Sequence, residues 1–329
     1  MLVQYNQLSD LLINCLVTSG APESEAKIVA DEIVFAEARG KGSHGLNMLD
    51  TMIKRYKKPH DKLIIVKEDL VSCLIDGKGT AGPVVARFAM DKAIAKATTS
   101  GMATVGVRNP SPFLTAGYSA YRAAKSHNLI AIVMSVAKSK VAPFGTRRPI
   151  IGTNPIGFAF PAEPYPIVVD MAITKVPAAE LEIAKREERK LPPGLAYDSS
   201  GNETTDPSAA QNGALIPFGG YKGSALGVIV ELMSGAMLEA KCGLRAGDMR
   251  GMLFIAIKAD LFAPIEQVKR IATLFREDVH LNAHDPKQGC LPGDHAEELY
   301  QEALTRGIEV RDSVYQKICE IAKPQNPVP

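Results

Sequence analysis

Tryptophan is absent from the 329 residues, and aromatic side chains make up only 6% of them. No indole platform for stacking a base is on offer. Charge of one sign is missing too: 38 Lys and Arg stand against 36 Asp and Glu, a net charge of +2. That leaves no electrostatic footprint for nucleic acid. The most apolar runs, 129–136 and 225–233, are too short to cross a bilayer, so no membrane partner is expected. Cysteine is sparse and irregular. Cys15, Cys73, Cys242, Cys290 and Cys319 are odd in number, scattered, and never in Cys-x-x-Cys spacing. They read as free thiols in a reducing compartment. The N-terminus has neither the basic start nor the apolar core of a signal peptide. Together these features predict a cytoplasmic protein.

Several chemical signatures are also missing. No Gly-x-Gly-x-x-Gly follows a strand near the N-terminus, so the Rossmann fingerprint is not there. Gly-x-Ser-x-Gly is absent, which removes support for a hydrolase elbow. His44, His60, His127, His280, His284 and His295 show no metal-binding spacing. His280 and His284 are four apart, but Asn282-Ala-His-Asp-Pro reads as a loop, so no metal is expected.

What is present is an ordinary globular composition, 46% hydrophobic and 22% charged, long enough for one large or two ordinary domains. Leu8, Leu11, Leu12, Cys15 and Leu16 recur at helical spacing. A second helix is expected from Ala26 to about Ala38, ending where Gly40 or Gly42 can take a left-handed cap. Ser43-His44-Gly45 follows at once, placed either to face a cleft or to cap the helix. Further helices are expected over 83–97, 116–126, 178–190 and 296–306. Strands are expected near 74–76, 102–107, 129–135, 166–172 and 252–257. The stretch 143–161 is dense in turn residues. Arg147 and Arg148 within it suit either a phosphate, as planar forks, or a solvated surface.

One stretch organises the rest. Gly219, Gly220 and Gly223 surround Lys222, and the chain then runs into a segment apolar on nearly every side. A helix apolar all round is expected to be buried. A glycine and lysine loop at its N-terminus suits an anion, although a plain turn has the same composition. The spacing is not that of a P-loop. Read from residues alone, the chain is an enzyme that binds an anionic cofactor.

Six motifs occur in order: Arg39-Gly-x-x-Ser-His-Gly45, Gly152-Thr-Asn-Pro-Ile-Gly-Phe-Ala-Phe-Pro161, Asp170-Met-Ala, Leu191-Pro-x-Gly, Thr204-Thr-Asp-Pro207 and Leu215-Ile-Pro-Phe-Gly-Gly-x-Lys-Gly223. Together they resemble the malate/L-lactate dehydrogenase family of the non-Rossmann type. That family includes sulfolactate, ureidoglycolate and diketogulonate enzymes. The stretch 214–226 is most similar to the reductases of Δ1-piperideine-2-carboxylate and Δ1-pyrroline-2-carboxylate. The resemblance implies an α/β fold in which a mostly antiparallel sheet flanked by helices binds NAD(P) without a Rossmann motif. It also implies a helical domain for substrate and dimerisation, formed by 1–115 and completed by 285–329, around an NAD(P)-binding domain over 116–284. An intertwined homodimer is implied as well.

The resemblance carries roles to individual residues. Ser43 and His44 would handle the proton, with a relay carboxylate at Glu180. Cofactor contacts would come from Pro112, Phe113, Leu114, Thr115 and Ala116, from Thr153, from Asp170, Met171 and Ala172, from Tyr221 and Lys222, and from Leu291, Pro292, Gly293 and Asp294. Arg147 and Arg148 would favour NADPH over NADH by pairing with its 2′-phosphate. The substrate would meet Met48, Ala178 and Ala179. The chain departs from the family pattern in three places. Asn109-Pro-Ser-Pro112-Phe has proline where a proton-exchanging histidine is usual. Met48 stands where an arginine is expected to hold the substrate carboxylate. Glu180 replaces an aspartate. These changes weaken a malate or lactate activity most and favour reduction of a cyclic imino acid. A 2-hydroxyacid dehydrogenase is the alternative, and a repurposed nucleotide-binding homologue the third reading.

Overall fold

The computed structural model describes residues 1–58, 61–246, 250–284 and 291–323. A short strand, β1 (Leu2–Val3), leads into α1 (Tyr5–Thr18), whose Leu8, Leu12, Cys15 and Leu16 form its buried stripe. Pro22 opens α2 (Glu23–Ala38), and α3 (Leu49–Tyr56) follows. The chain then enters a sheet through β2 (Ile64–Glu68) and β3 (Ser72–Asp76), crosses by α4 (Gly82–Ser100) and returns as β4 (Met102–Arg108). Next come α5 (Ala116–His127), β5 (Leu129–Ser135), β6 (Ile156–Phe160) and β7 (Ile167–Met171).

A small lobe interrupts the sheet. It holds α6 (Ala179–Arg186), β8 (Ala196–Tyr197), β9 (Glu203–Thr204), α7 (Pro207–Gln211) and β10 (Ala214–Leu215). After α8 (Tyr221–Ser234), β11 (Gly251–Lys258) re-enters the sheet at its centre. The chain closes with α9 (Ile265–Leu281), α10 (Asp294–Arg306), β12 (Ile308–Glu309) and α11 (Asp312–Ala322).

The seven strands lie in the order β2-β3-β4-β11-β5-β6-β7. Only β3 and β4 run parallel, joined by the α4 crossover; the other neighbours are antiparallel. This is the mostly antiparallel, helix-flanked sheet that the motifs implied. Parallel neighbours need a crossover, whereas antiparallel ones do not. One face carries α4 and α5 over Val105, Val133 and Phe254. The other meets Val230 of α8 through Met134, Ile156 and Leu253.

A separate helical core joins α1, α2 and α3 to Ala303, Ile308 and Ile318 from the C-terminal part, and β1 pairs with β12. Chain ends thus complete one lobe. The apolar cores do not divide at 115/116, however. Strands β2 to β4 and helix α4 pack with the sheet, and their Ile75, Val85 and Val107 share its core. Of the 285–329 segment, 291–323 is described.

Helix α8 departs from expectation. It is buried on one side through Gly223, Gly227, Val230 and Glu231, but Tyr221, Val228, Ile229 and Leu232 are 62%, 42%, 47% and 52% exposed. Apolar composition shows that a surface avoids water; it does not say whether its own chain covers it. The turn-dense stretch 143–161 also ends in a strand, β6, because Ile156 and Phe158 are paired by both β5 and β7, and Phe160 by β7.

Strand β6 runs directly under the start of α5. A Cβ placed on Gly157 would stand 2.4 Å from the Ala116 carbonyl carbon and oxygen and 2.7 Å from the Gly117 nitrogen. Gly157→Ala should therefore lift the first turn of α5 off the sheet and cost about 1–3 kcal/mol of overpacking strain. Urea unfolding checks this; an unchanged midpoint would show that the contact yields freely.

Candidate active site

Helix α2 ends in a Schellman turn. The Gly40 N–H donates to the Glu37 carbonyl at 3.0 Å and the Lys41 N–H to the Ala36 carbonyl at 2.8 Å, with Gly40 at φ +73°. Glycine takes that conformation without strain. The His44 N–H then donates to the Lys41 carbonyl at 2.8 Å, so Lys41 and His44 belong to one turn. Glu37 lies beneath it. Its Oε2 accepts from the Leu46 N–H at 2.7 Å, and a Cβ on Gly45 would come within 2.2 Å of that oxygen. The third residue of Ser43-His44-Gly45 is thus glycine because a half-buried carboxylate occupies the space. Ser43 Oγ and His44 Nδ1 are 2.9 Å apart. Burial pulls the His44 imidazole below its ordinary pKa; the Asp170 carboxylate opposes this and the Lys41 ammonium adds to it. His44 is accordingly neutral near neutral pH.

The opposite wall comes from the sheet. Asp170, near the end of β7, pairs with Lys41 and packs against the first turn of α5. A Cβ on Gly117 would lie 2.6 Å from the Asp170 Cβ, so the glycine gives the carboxylate its place at a helix N-terminus, where negative charge is favoured. Thr115 is fixed by Glu32 of α2, whose Oε1 accepts from the Thr115 N–H at 2.9 Å and from its hydroxyl at 3.2 Å. Thr153 is set by its buried neighbour. The Asn154 amide donates to the Gly227 carbonyl at 3.1 Å and to Glu231 Oε1 at 3.0 Å, and its oxygen accepts from the Ala137 N–H at 3.2 Å.

These elements enclose two adjoining chambers. One, of about 560 Å³, is lined by Lys41, Ser43, His44, Met48, Leu114, Thr115, Ala116, Thr153, Asp170, Met171, Ala172, Ala178 and Ala179, among others. The other, of about 320 Å³, is walled by Phe35, Tyr118 and Tyr121 and by Val168, Pro292, Gly293 and Ala296. Lys41, Thr115, Asp170 and Met171 border both. Both volumes are of the size usual for small-molecule sites. Arg39 lines the smaller chamber between the rings of Phe35 and Tyr121, and it forms a buried ion pair with Glu297 of α10.

Most residues singled out in the sequence thus converge, and some do not. Pro112 and Phe113 stand behind the lining, packed against the start of α4 and in the sheet core. Glu180 does not reach His44: its carboxylate pairs with Arg189 nearby, and the carboxylate that acts on His44 is Asp170. Arg147 and Arg148 are exposed outside both chambers, with Arg147 donating to the Gly201 carbonyl at 3.3 Å. Tyr221 and Lys222 are exposed at the start of α8 and line neither chamber. Leu291 is buried behind Pro292 and Gly293. Asp294 turns inward, accepting from the Leu291 N–H at 2.9 Å and facing His280 at 2.7 Å and Arg276 at 3.3 Å. Sequence reading passed over Lys41, Glu32, Glu37 and Glu231. Spacing gave no signal for the three glutamates, since each lies on a helix face that composition cannot orient.

The fold that carries this arrangement is shared with known proteins. Residues 3–319 match the profile of the malate/L-lactate dehydrogenases. The chain belongs to the malate/L-lactate dehydrogenase family. Within this family, the malate/(S)-sulfolactate dehydrogenase of Methanothermus fervidus is 34% identical, the match covering 99% of this chain and 98% of that one. The Δ1-pyrroline-2-carboxylate/Δ1-piperideine-2-carboxylate reductase of Pseudomonas syringae pv. tomato is 31% identical, over 97% and 96% of the two chains. The crystal structure of malate dehydrogenase from Entamoeba histolytica has a TM-score of 0.91 at 26% identity, covering 100% of this chain and 99% of that one. The protein is an oxidoreductase of this family.

Glu32 makes one wall of the site pH-dependent. Burial, opposed by the Thr115 hydrogen bonds, raises its carboxyl to about 7. A carboxyl raised on folding is protonated in the native state while the unfolded one is ionised. Stability from this group is therefore full below the unfolded value, about 4.3, and falls as pH rises to about 7. The loss across that window is on the order of 3 kcal/mol. Glu32→Gln should flatten this slope and raise Tm at pH 8 relative to the parent protein. Thermal melts from pH 5 to 8 provide the check, and parallel slopes for both proteins would count against it.

Proposed function

We propose that this protein reduces the C=N bond of a small cyclic imino acid, of the Δ1-piperideine-2-carboxylate or Δ1-pyrroline-2-carboxylate type, with a nicotinamide coenzyme. The observation that carries this reading is the composition of the larger chamber. It holds one neutral imidazole, one lysine and aspartate pair, and otherwise threonine, serine and apolar side chains. A ketone must be polarised by an acid before it accepts hydride. A protonated iminium already carries the charge, so a chamber with one proton-handling side chain suits it. The reductase relative at 31% identity supports the same choice. The alternative, a 2-hydroxyacid dehydrogenase acting on C=O, is favoured by the relative at 34% identity.

When bound, the coenzyme supplies the hydride. Residues present fit such a group: Gly117 and Gly293 line the smaller chamber, and the first turn of α5, whose N-terminus favours an anion, borders both chambers. Leu114, Thr115, Ala116, Thr153, Met171, Ala172, Pro292 and Gly293 would hold it. His44 Nε2 would carry the exchanged proton while Ser43 orients the ring through Nδ1. Asp170 is the nearby carboxylate that favours the imidazolium. Met48, Ala178 and Ala179 exclude water from the substrate side.

Activity is tested with pyruvate, oxaloacetate and both cyclic imino acids, each with NADPH and NADH; turnover of the ketoacids alone would reject the imine reading. His44→Gln should lower turnover at least about a hundredfold while coenzyme affinity stays within about twofold of the parent. When the free imine binds, His44 supplies the proton that makes it the iminium, and for that step His44 must be protonated. Reductive kcat/KM should therefore fall as pH rises through a midpoint below the ordinary imidazole value of about 6.5. That limb should vanish in His44→Gln, and a persisting limb would assign it elsewhere.

The exposed side of α8 fits the homodimer implied by the sequence. A second copy would cover Val228, Ile229 and Leu232 and exclude water from the Tyr221–Lys222 corner. The double substitution Ile229→Glu, Leu232→Glu should convert a dimer to a folded monomer in analytical ultracentrifugation; a parent protein that is itself monomeric would refute the assembly.

A further inference from the structure

We infer that Lys41 is the residue that binds the carboxylate of the substrate. The inference rests on the reading of the larger chamber as a site for a small 2-imino or 2-oxo acid. Such a molecule brings a carboxylate out of water, and a buried anion needs a cation and hydrogen-bond donors. Met48, half-buried in the lining, offers neither. Among the described lining residues, the acids and bases are Lys41, His44 and Asp170. Burial holds His44 neutral, so the standing positive charge is on Lys41. Arg39, the other cation nearby, lines only the smaller chamber and is committed to Glu297 and to the Gly293 carbonyl.

The surroundings of Lys41 suit an anchor. Its ammonium has three donors, and Asp170 Oδ2 takes one, leaving two for another acceptor. Asp170 is itself held by the start of α5 above Gly117, so the pair fixes Nζ at the wall common to both chambers. Lys41 and His44 sit on the same hydrogen-bonded turn. In a 2-imino acid the reacting carbon is bonded to the carboxylate carbon. An anchor and a proton donor on one rigid turn would therefore register that carbon against the coenzyme. Lysine, a point charge on a flexible stem, would also set orientation less strictly than a bidentate arginine. A site built this way should accept carboxylates of more than one ring size.

The test uses the full-length protein saturated with NADPH, with pyrrole-2-carboxylate as a planar mimic of the imino acid and pyrrole-2-carboxamide as its uncharged counterpart. Titration calorimetry should show that Lys41→Met weakens carboxylate binding roughly ten- to a hundredfold. The carboxamide should stay within about threefold of the parent and NADPH affinity within about twofold, while Lys41→Arg should retain most carboxylate affinity. If Lys41→Met does not melt cooperatively, Lys41→Gln makes the same comparison without the charge. Unchanged carboxylate affinity in the variant overturns the assignment, as does a parent complex that binds no carboxylate. An equal loss of NADPH affinity would overturn it too, by moving Lys41 to the coenzyme. Turnover on the imine and ketoacid panel is a separate measurement: its failure with Lys41-dependent carboxylate binding intact rejects the reduction reading alone.

Discussion

The ion pair between Lys41 and Asp170 joins the two halves of the site. Lys41 leaves the helical lobe at the end of α2, and Asp170 lies near the end of β7, 129 positions on. Neither stands alone. Lys41 is set by the Schellman turn at Gly40, and Asp170 by the room that Gly117 leaves at the start of α5. A second, more deeply buried pair, Arg39 with Glu297, ties the same end of α2 to α10. Removing one partner of such a pair leaves an uncompensated buried charge, at about 3–5 kcal/mol. Arg39 and Glu297 are therefore stable only together, and this pair and Lys41–Asp170 join the lobes at the chambers.

A common device holds the loops that line the site. Each loop exposes backbone amides that its own segment cannot satisfy, and a glutamate on a neighbouring helix accepts from them. Glu37 takes the Leu46 amide, Glu32 the Thr115 amide, and Glu231 the Gly152 and Gly243 amides at 3.2 and 2.9 Å. Helix α2 supplies two of the three, so the rigid element that carries Lys41 and His44 also fixes the facing wall. Such supporting carboxylates keep a site within the narrow geometry that hydride transfer demands. They also bring acids into apolar surroundings, which is why Glu32 and Glu37 have raised pKa values.

The smaller chamber places the Phe35 ring against those of Tyr118 and Tyr121, centroids 4.9 and 5.0 Å apart, with Arg39 between Phe35 and Tyr121. In a chain without tryptophan and with few aromatics, three of them gather beside one cavity. Tyr118 also bonds Asp31 and Arg87, so the aromatic wall is braced by α2 and α4 rather than free to collapse. Family membership and an oxidoreductase activity rest on the whole-chain match, whereas the choice between C=N and C=O is a matter of a few side chains around His44.

The sequence by itself determined the His44 turn, because glycine spacing is local and survives without neighbours, and its ordered motifs carried the resemblance that implied the family and the mostly antiparallel sheet. It also determined that Met48 and Pro112 cannot bind an anion or exchange a proton, since that is a property of side-chain chemistry alone. Tertiary structure decided the rest. The sequence offered Glu180 as the relay carboxylate and Asp170 as a cofactor contact, and only folding shows Glu180 spent on Arg189 and Asp170 at the chamber wall beside His44. The apolar run of α8 did not disclose that half its surface stays uncovered, because burial depends on what packs against a helix. Lys41 was legible only as part of a glycine turn. Its significance arises from a charge 129 positions away, a distance over which sequence patterns carry no information about contact.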